Sequence, residues 1–322
     1  MARKKLFSIE ELNNLSTEEI NHKIIYENYS LLLTLGGDDM RREMVPVGKA
    51  CKFAVNLFVD TTGPKNNPTQ HAVNARKKLV KILSKVAPGK YEGFPKDSEK
   101  GLVVGFNHPS LGEIARILLM KIDVMGDKPM LFPVNLPWYE ALSTFYDKIK
   151  LLGVTITPTI TPSTWDKLGL EEDTELYRAA EKVKRKFRDM YTDLSHETIK
   201  DGGVIFVAPS ATRQSTVFKS KAVYEKKKPV IPTLSILAMR LYKDPEMNCD
   251  FLPMGVLPPT GYKKGLNFLK TYELIPGEIM TAKEIRKKYF KTKEPKKLDG
   301  FDYDFHQRIA AVLPKDMWYN HK

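Results

Sequence analysis

Between residues 174 and 208 the sequence changes periodicity once, and that change restricts the fold more than any other feature. Leu176, Ala180, Val183, Phe187, Met190 and Leu194 recur at steps of three and four, while Lys182, Lys184, Arg185, Lys186 and Arg188 fall mostly between them. This spacing predicts a helix over about 174–194 with one apolar stripe turned to a core. Asp201-Gly202-Gly203 then breaks the helix, and Val204-Ile-Phe-Val-Ala follows without polar alternation. A strand apolar on both faces must be covered on both, the habit of strands in layered α/β proteins. The pattern repeats elsewhere. Leu102-Val-Val-Gly-Phe precedes a helix predicted from Gly112 through Ile122, then comes Pro129-Met-Leu-Phe-Pro-Val, and Phe251-Leu-Pro-Met-Gly-Val supplies another strand. The expected fold class is α/β, a mixed sheet flanked by helices.

Ahead of this pattern the chain reads as a helical N-terminal domain. Ser16-Thr-Glu-Glu-Ile resembles a helix start, and Val73, Leu79, Ile82 and Leu83 keep helical spacing. The turn-rich stretch from Asp60 to Pro68 interrupts it and a second, from Ala87 to Asp97, closes it, which puts the boundary near residue 96. The expected domains are 1–95, helical, and 96–322, α/β. With 322 residues and 42% hydrophobic content the chain can build a sizeable core. The apolar runs Ser30–Leu35, Phe53–Val59 and Ile114–Met120 fall short of the roughly 20 residues that span a bilayer. The basic start is followed by Glu10 and Glu11 rather than an apolar segment, so export by a signal peptide is not expected.

Two distant cysteines, Cys51 and Cys249, argue against a disulfide framework and a cysteine zinc site, and fit a cytoplasmic setting. The net charge of +13 is concentrated in runs such as Lys226–Lys228, Lys263-Lys264, Lys287-Lys288 and Lys296-Lys297. Such a surface attracts polyanions, whether anionic lipid headgroups at a membrane periphery, an acidic carrier protein or nucleic acid, and charge alone does not choose among them. No recognisable nucleic-acid module accompanies the lysines, so nucleic acid ranks last.

Two clusters carry chemistry. In Asn107-His108-Pro109-Ser110-Leu111-Gly112-Glu113, a histidine leaves a predicted strand and an acid follows five positions on, in the first turn of a predicted helix. Acyl transfer to an alcohol needs a base for the hydroxyl proton and a partner that fixes the tautomer of that base. A carboxylate curling back onto one imidazole nitrogen would meet the second need. The spacing by itself is weak, because His22 with Glu27 and His196 with Asp201 have the same separation. What distinguishes His108 is its strand-to-helix turn of Asn, Pro, Ser and Gly; a satisfied structural histidine is the competing reading. The second cluster is Ala208-Pro209-Ser210-Ala211-Thr212-Arg213, directly after the strand Val204–Val207. It places a guanidinium at the mouth of a sheet, fit either for a bidentate phosphate clamp or for a surface salt bridge.

Taken in order, Asn107-His108-x4-Glu113, Gly153-Val-Thr-Ile, Gly203-Val-Ile-Phe-Val-Ala-Pro-Ser-Ala-Thr-Arg213 and Phe251-Leu-Pro-Met-Gly-Val-Leu-Pro-Pro resemble the four motif blocks of the glycerolipid acyltransferase superfamily. The Ala-Pro-Ser wording and the helical N-terminal region look closest to the soluble, plastid-type glycerol-3-phosphate acyltransferases. The resemblance covers roughly residues 100–280. It implies direct transfer from an acyl thioester, on acyl carrier protein or coenzyme A, to a hydroxyl of a glycerol-phosphate or lysophospholipid acceptor. His108 would be the base, Glu113 its orienting acid and Arg213 the phosphate clamp, with Asn107, Ser110, Ser210 and Thr212 lining the substrate. It implies no metal, no cofactor and no covalent acyl-enzyme.

The sequence departs from the family pattern at several places. The family usually has Asp where Glu113 stands, and an acid or glycine pair where Ser210-Ala211 stands. Thr157-Pro-Thr-Ile-Thr161 replaces a basic stretch of the soluble enzymes, and Ser215 sits where they carry a second arginine. Glycerol 3-phosphate and a lysophospholipid therefore stay equal alternatives as acceptor. Ile231–Leu241 fits either core or an acyl tunnel, and Leu136-Pro-Trp138-Tyr139 either packing or a lipid interface. The runner-up class is an inactive acyltransferase-like protein that binds anionic lipid or nucleic acid. Serine hydrolysis is disfavoured, since neither Ser110 nor Ser210 lies in a G-x-S-x-G elbow.

Overall fold

The computed structural model describes residues 68–86, 91, 93–95, 100–109, 112–135, 139, 142, 146–160, 165, 172, 175–210, 216–225, 230, 232–259, 272–292 and 298–320. The expected helix start at Ser16, the turn-rich Asp60–Asn67 and most of the N-terminal domain lie outside these residues, as do Leu136–Trp138 and three of the four lysine runs.

Among the described residues the elements run α1 (Pro68–Val86), β1 (Gly101–Phe106), α2 (Gly112–Met125), β2 (Met130–Asn135), α3 (Tyr146–Leu151) and β3 (Val154–Thr159), followed by α4 (Glu175–Lys200), β4 (Val204–Val207), α5 (Lys221–Glu225) and α6 (Thr233–Leu241), and then β5 (Cys249–Leu257), β6 (Glu273–Pro276), α7 (Ala282–Tyr289) and α8 (Phe301–Ala311). The six strands form one sheet in the order β3-β2-β4-β1-β5-β6. β1 is parallel to β4 and β5, β2 is parallel to β4, and β6 closes the edge antiparallel to β5. The α/β class with a mixed sheet is what the sequence pattern requires. By compactness the chain divides into two units, one containing Phe132–Leu194 and the other Thr62–Leu131 with Ser195–Lys322.

In the first unit, α3 turns into β3 through Gly153, at φ 73°, with its N–H on the Lys150 carbonyl at 2.8 Å. Thr159 Oγ1 donates to the Val134 carbonyl at 3.1 Å, and the Trp165 ring meets Tyr177 edge-on while Lys184 Nζ stands 4.0 Å from its centre. Thr157, at the start of the stretch where the soluble enzymes are basic, is fully buried in β3. Tyr139 is buried too, and burial followed by the nearby Tyr146 pushes its hydroxyl up to about 12. Packing accounts for this tyrosine without a lipid interface.

The second unit is organised by β1. All six of its residues are buried, as are the four of β4 and six consecutive residues of β5. The helix–glycine–strand unit read from the sequence leads into this core. α4 ends at Lys200, Gly202 takes φ 65°, and the Gly203 N–H bonds back to the Thr198 carbonyl at 2.8 Å. That is the left-handed cap that only glycine adopts without cost. Gly203 has no room for a side chain either, because a Cβ would stand 2.5 Å from the Pro129 carbonyl oxygen and 2.7 Å from that of Thr198.

On the far side, Phe251 of β5 packs against Phe301 and Phe305 of α8 with ring centres 5.5 and 6.4 Å apart. α6 lacks a cap of its own. Asp302 of α8 supplies one, its carboxylate accepting the Leu234 and Ser235 N–H groups at 2.9 and 3.2 Å. Leu234, Leu237, Ala238 and Leu241 of α6 are core, so most of the segment weighed as an acyl tunnel is packing, with Ile236 left exposed. Cys249 is buried, and burial drives its thiol up to about 12. Among the described residues no helix is long and apolar enough to cross a membrane.

Gly203→Ala should lower unfolding free energy by about 1–3 kcal/mol, the usual cost of forcing a group into a filled site. Urea denaturation of the variant beside the wild type checks it.

Candidate functional site

The order of the sheet fixes where a site can form. From β1 the chain leaves toward β2, on the β4 side, whereas from β4 it crosses past β1 to β5. β1 and β4 are therefore parallel neighbours whose connections part, and the crevice beyond their carboxyl ends is where open α/β sheets take ligands. Their last paired residues are Gly105 and Val207. His108 and Ser210 each stand three positions beyond the last paired residues of these two strands.

His108 Nδ1 is hydrogen-bonded to Glu113 Oε1. The carboxylate belongs to the first turn of α2, where the helix dipole favours negative charge. Because a carboxylate accepts, Nδ1–H is the donor, and Nε2 is left as the basic nitrogen of the ring. Glu113 has no exposed surface, while His108 keeps 17% of its side chain open. The ring also stands edge-on to Phe106 at 6.2 Å between centres. A buried acid and an oriented, partly open imidazole make a base of fixed tautomer. The competing spacing does not do this: His196 Nε2 donates to the Arg240 carbonyl at 3.1 Å, not to Asp201. His22 and Glu27 lie outside the described residues.

Asn107 was expected to touch substrate, yet its amide is turned into the sheet. Nδ2 donates to the Val256 carbonyl at 2.9 Å and Oδ1 accepts the Val256 N–H at 2.7 Å, with 4% of the residue exposed. Ser210 is partly exposed beyond β4, and the neighbouring Pro209 carbonyl accepts from Thr233 Oγ1 at 3.0 Å, which ties this turn to the start of α6. Ser110, Thr212 and Arg213 lie outside the described residues.

Two features behind the site went unread in the sequence. The Asn107–Val256 exchange needs the order of the strands, which no local pattern contains. The charges of α2 were the second. Arg116 and Lys121 are buried, although a hydrophilic residue on a helix ordinarily reads as its outer face. The Arg116 guanidinium lies 4.8 Å from the centre of the Tyr91 ring, and Tyr91 Oη is hydrogen-bonded to Asp123. Burial lowers the Arg116 pKa, and burial and the Asp123 bond raise Tyr91 to about 12. Lys121 Nζ donates to the Gly126 carbonyl at 3.2 Å. Burial first, then the charge of Arg76, lower its pKa to about 8, with Asp127 opposing. The only hint was that α2 is buried nearly all round, which its apolar residues alone foretell.

Among the described residues no group of three or more His, Cys, Asp and Glu side chains could hold a metal ion. No family model matches the chain, and no curated protein matches it at a significant level.

Lys121 gives a pH prediction. Its pKa is about 8 folded against an ordinary 10.5, so the protonated lysine costs stability below pH 8, and stability rises as pH climbs from 8 toward 10.5. Lys121→Met should stabilise the protein at neutral pH by up to about 3 kcal/mol and flatten this alkaline rise. Urea titrations at neutral and alkaline pH measure both effects.

Proposed function

We propose that the chain is an O-acyltransferase that moves a fatty acyl group from a thioester of acyl carrier protein or coenzyme A to a hydroxyl of a glycerol-phosphate or lysophospholipid acceptor. One observation carries this reading: a buried carboxylate holds the inner nitrogen of a partly open imidazole at the switch point of a parallel sheet. The order of the four sequence blocks supports it independently, because the first begins directly after β1 and the third and fourth include β4 and β5, the strands on either side of β1.

In this reading Nε2 of His108 takes the proton of the acceptor hydroxyl as its oxygen attacks the thioester carbonyl. The imidazolium that forms is stabilised by Glu113 behind it. Collapse of the tetrahedral intermediate breaks the carbon–sulfur bond, and the same proton passes to the departing thiolate. Atoms and charge balance without a covalent acyl-enzyme. Arg213, three positions after Ser210 in the sequence, would hold the phosphate of the acceptor. The net charge of +13 favours an acidic carrier, an anionic membrane surface and a phosphorylated acceptor alike. The acceptor is glycerol 3-phosphate or a lysophospholipid, and the setting is the cytoplasm or a membrane periphery.

The test is transfer of labelled acyl groups from acyl carrier protein and from coenzyme A to a panel of glycerol 3-phosphate, lysophosphatidate and other lysolipids. His108→Ala should lower kcat by about 10²–10⁴-fold, the usual share of a general base, with circular dichroism unchanged. Arg213→Ala should chiefly raise the KM of the phosphorylated acceptor. A folded wild-type protein inert toward every pair, or an active His108→Ala protein, would overturn the reading.

A further inference from the structure

The ladder between β1 and β5 runs in register as far as Phe106 and Met254. At the next residue the β1 main chain leaves the strand toward His108 and α2. Val256 would then be left with an N–H and a carbonyl facing the edge that β1 has vacated. The Asn107 side chain fills that place, giving its Nδ2–H to the Val256 carbonyl and taking the Val256 N–H on Oδ1, at 2.9 and 2.7 Å. A carboxamide offers the same donor and acceptor as a peptide group, and Val256 allows only one orientation of it. The side chain thus continues the ladder while the main chain is released to turn. Asn107 is almost fully buried, where such an exchange is strong and an unpaired member would be costly.

His108 is the next residue, and its ring is held at the other end by Glu113 of α2. We infer that Asn107 is a positioning residue: by standing in for main chain in the β1–β5 ladder, it sets the point at which the backbone turns and holds the His108 imidazole against Glu113. This rests on the reading of His108 as the base, but it concerns the ring itself and can be measured without turnover. The geometry admits few replacements. Aspartate keeps the acceptor but loses the donor, alanine loses both, and glutamine puts the amide one methylene too far.

The experiment uses the full chain with ¹⁵N-labelled histidine, His108→Gln serving to assign the hydrogen-bonded Nδ1 proton. Asn107→Ala and Asn107→Asp should each lose or shift that resonance while the signals of His196 and His306 stay in place. Should Asn107→Ala fail to fold, Asn107→Asp, which retains one of the two bonds, carries the test. On the acyl-transfer assay, kcat should fall by about 10²-fold with acceptor KM little changed, as for a misplaced reacting group. Asn107→Ala combined with Glu113→Gln should be no slower than the slower single variant, because both act on one imidazole. A folded Asn107→Ala protein with the Nδ1 proton and kcat of wild type would overturn the proposal, and so would strictly additive losses. A wild type inert toward every acceptor, whose His108 resonance still responds to Asn107, would uphold the positioning role and defeat the acyltransferase reading.

Discussion

β1 is hydrogen-bonded along both edges, to β4 on one side and β5 on the other, and every one of its residues is shut away from water. A strand in that position cannot shift by one residue, because both ladders would break and its faces would exchange. The rest of the second unit follows from this fixed strand. Gly105 is pressed so closely by Phe305 that a Cβ would come within 2.4 Å of the ring, so α8 sits directly over the last turn of the strand. The carboxyl end of β1 is consequently a stationary point from which a side chain can be aimed.

Helices that cover the sheet are joined by polar groups reaching across the chain. Asp302 completes the start of α6 from α8, and His306 Nδ1 donates to the Asp302 carbonyl at 2.6 Å, one turn along. Burial keeps His306 low, at about 4, so the ring is neutral over the ordinary pH range and the carbonyl bond sets its tautomer. Arg286 closes the turn before β5, its guanidinium donating to the carbonyls of Tyr242, Asp244, Pro245 and Met247 at 3.2–3.4 Å. These contacts bind the C-terminal helices to the strand next to β1.

Much of the sheet was legible because fully buried strands write themselves as unbroken apolar runs: Leu102–Phe106, Val204–Val207 and Phe251–Val256 all lie within β1, β4 and β5. The boundaries drifted where propensity gave way to packing. α4 runs on to Lys200, six residues past Leu194 where the expected apolar stripe ends, because Ser195, Thr198 and Ile199 are buried as well. The pairing of His108 with Glu113 was legible as a spacing, and only its strand-to-helix context separated it from His196. What could not be read was anything carried between distant segments. Asn107 looked like a substrate contact because a polar residue beside a candidate base gives no sign that Val256 faces it. Nor does any local pattern record that the cations of Lys121 and Arg286 are turned inward onto carbonyls.

The hydrogen bonds between Asn107 and Val256 join residues 149 apart in the chain. A growing polypeptide emerges from the ribosome with its histidine, its acid and the helix between them long before β5 exists. Until that strand is made, β1 presents a bare edge of wholly apolar character, the kind of surface that chaperones recognise and that aggregates if left waiting. Closing so long a loop is also slow, since its entropy must be spent before the parallel ladder returns anything. The carboxyl end of β1 therefore waits on a strand made some 149 residues later before its Asn107 anchor can close.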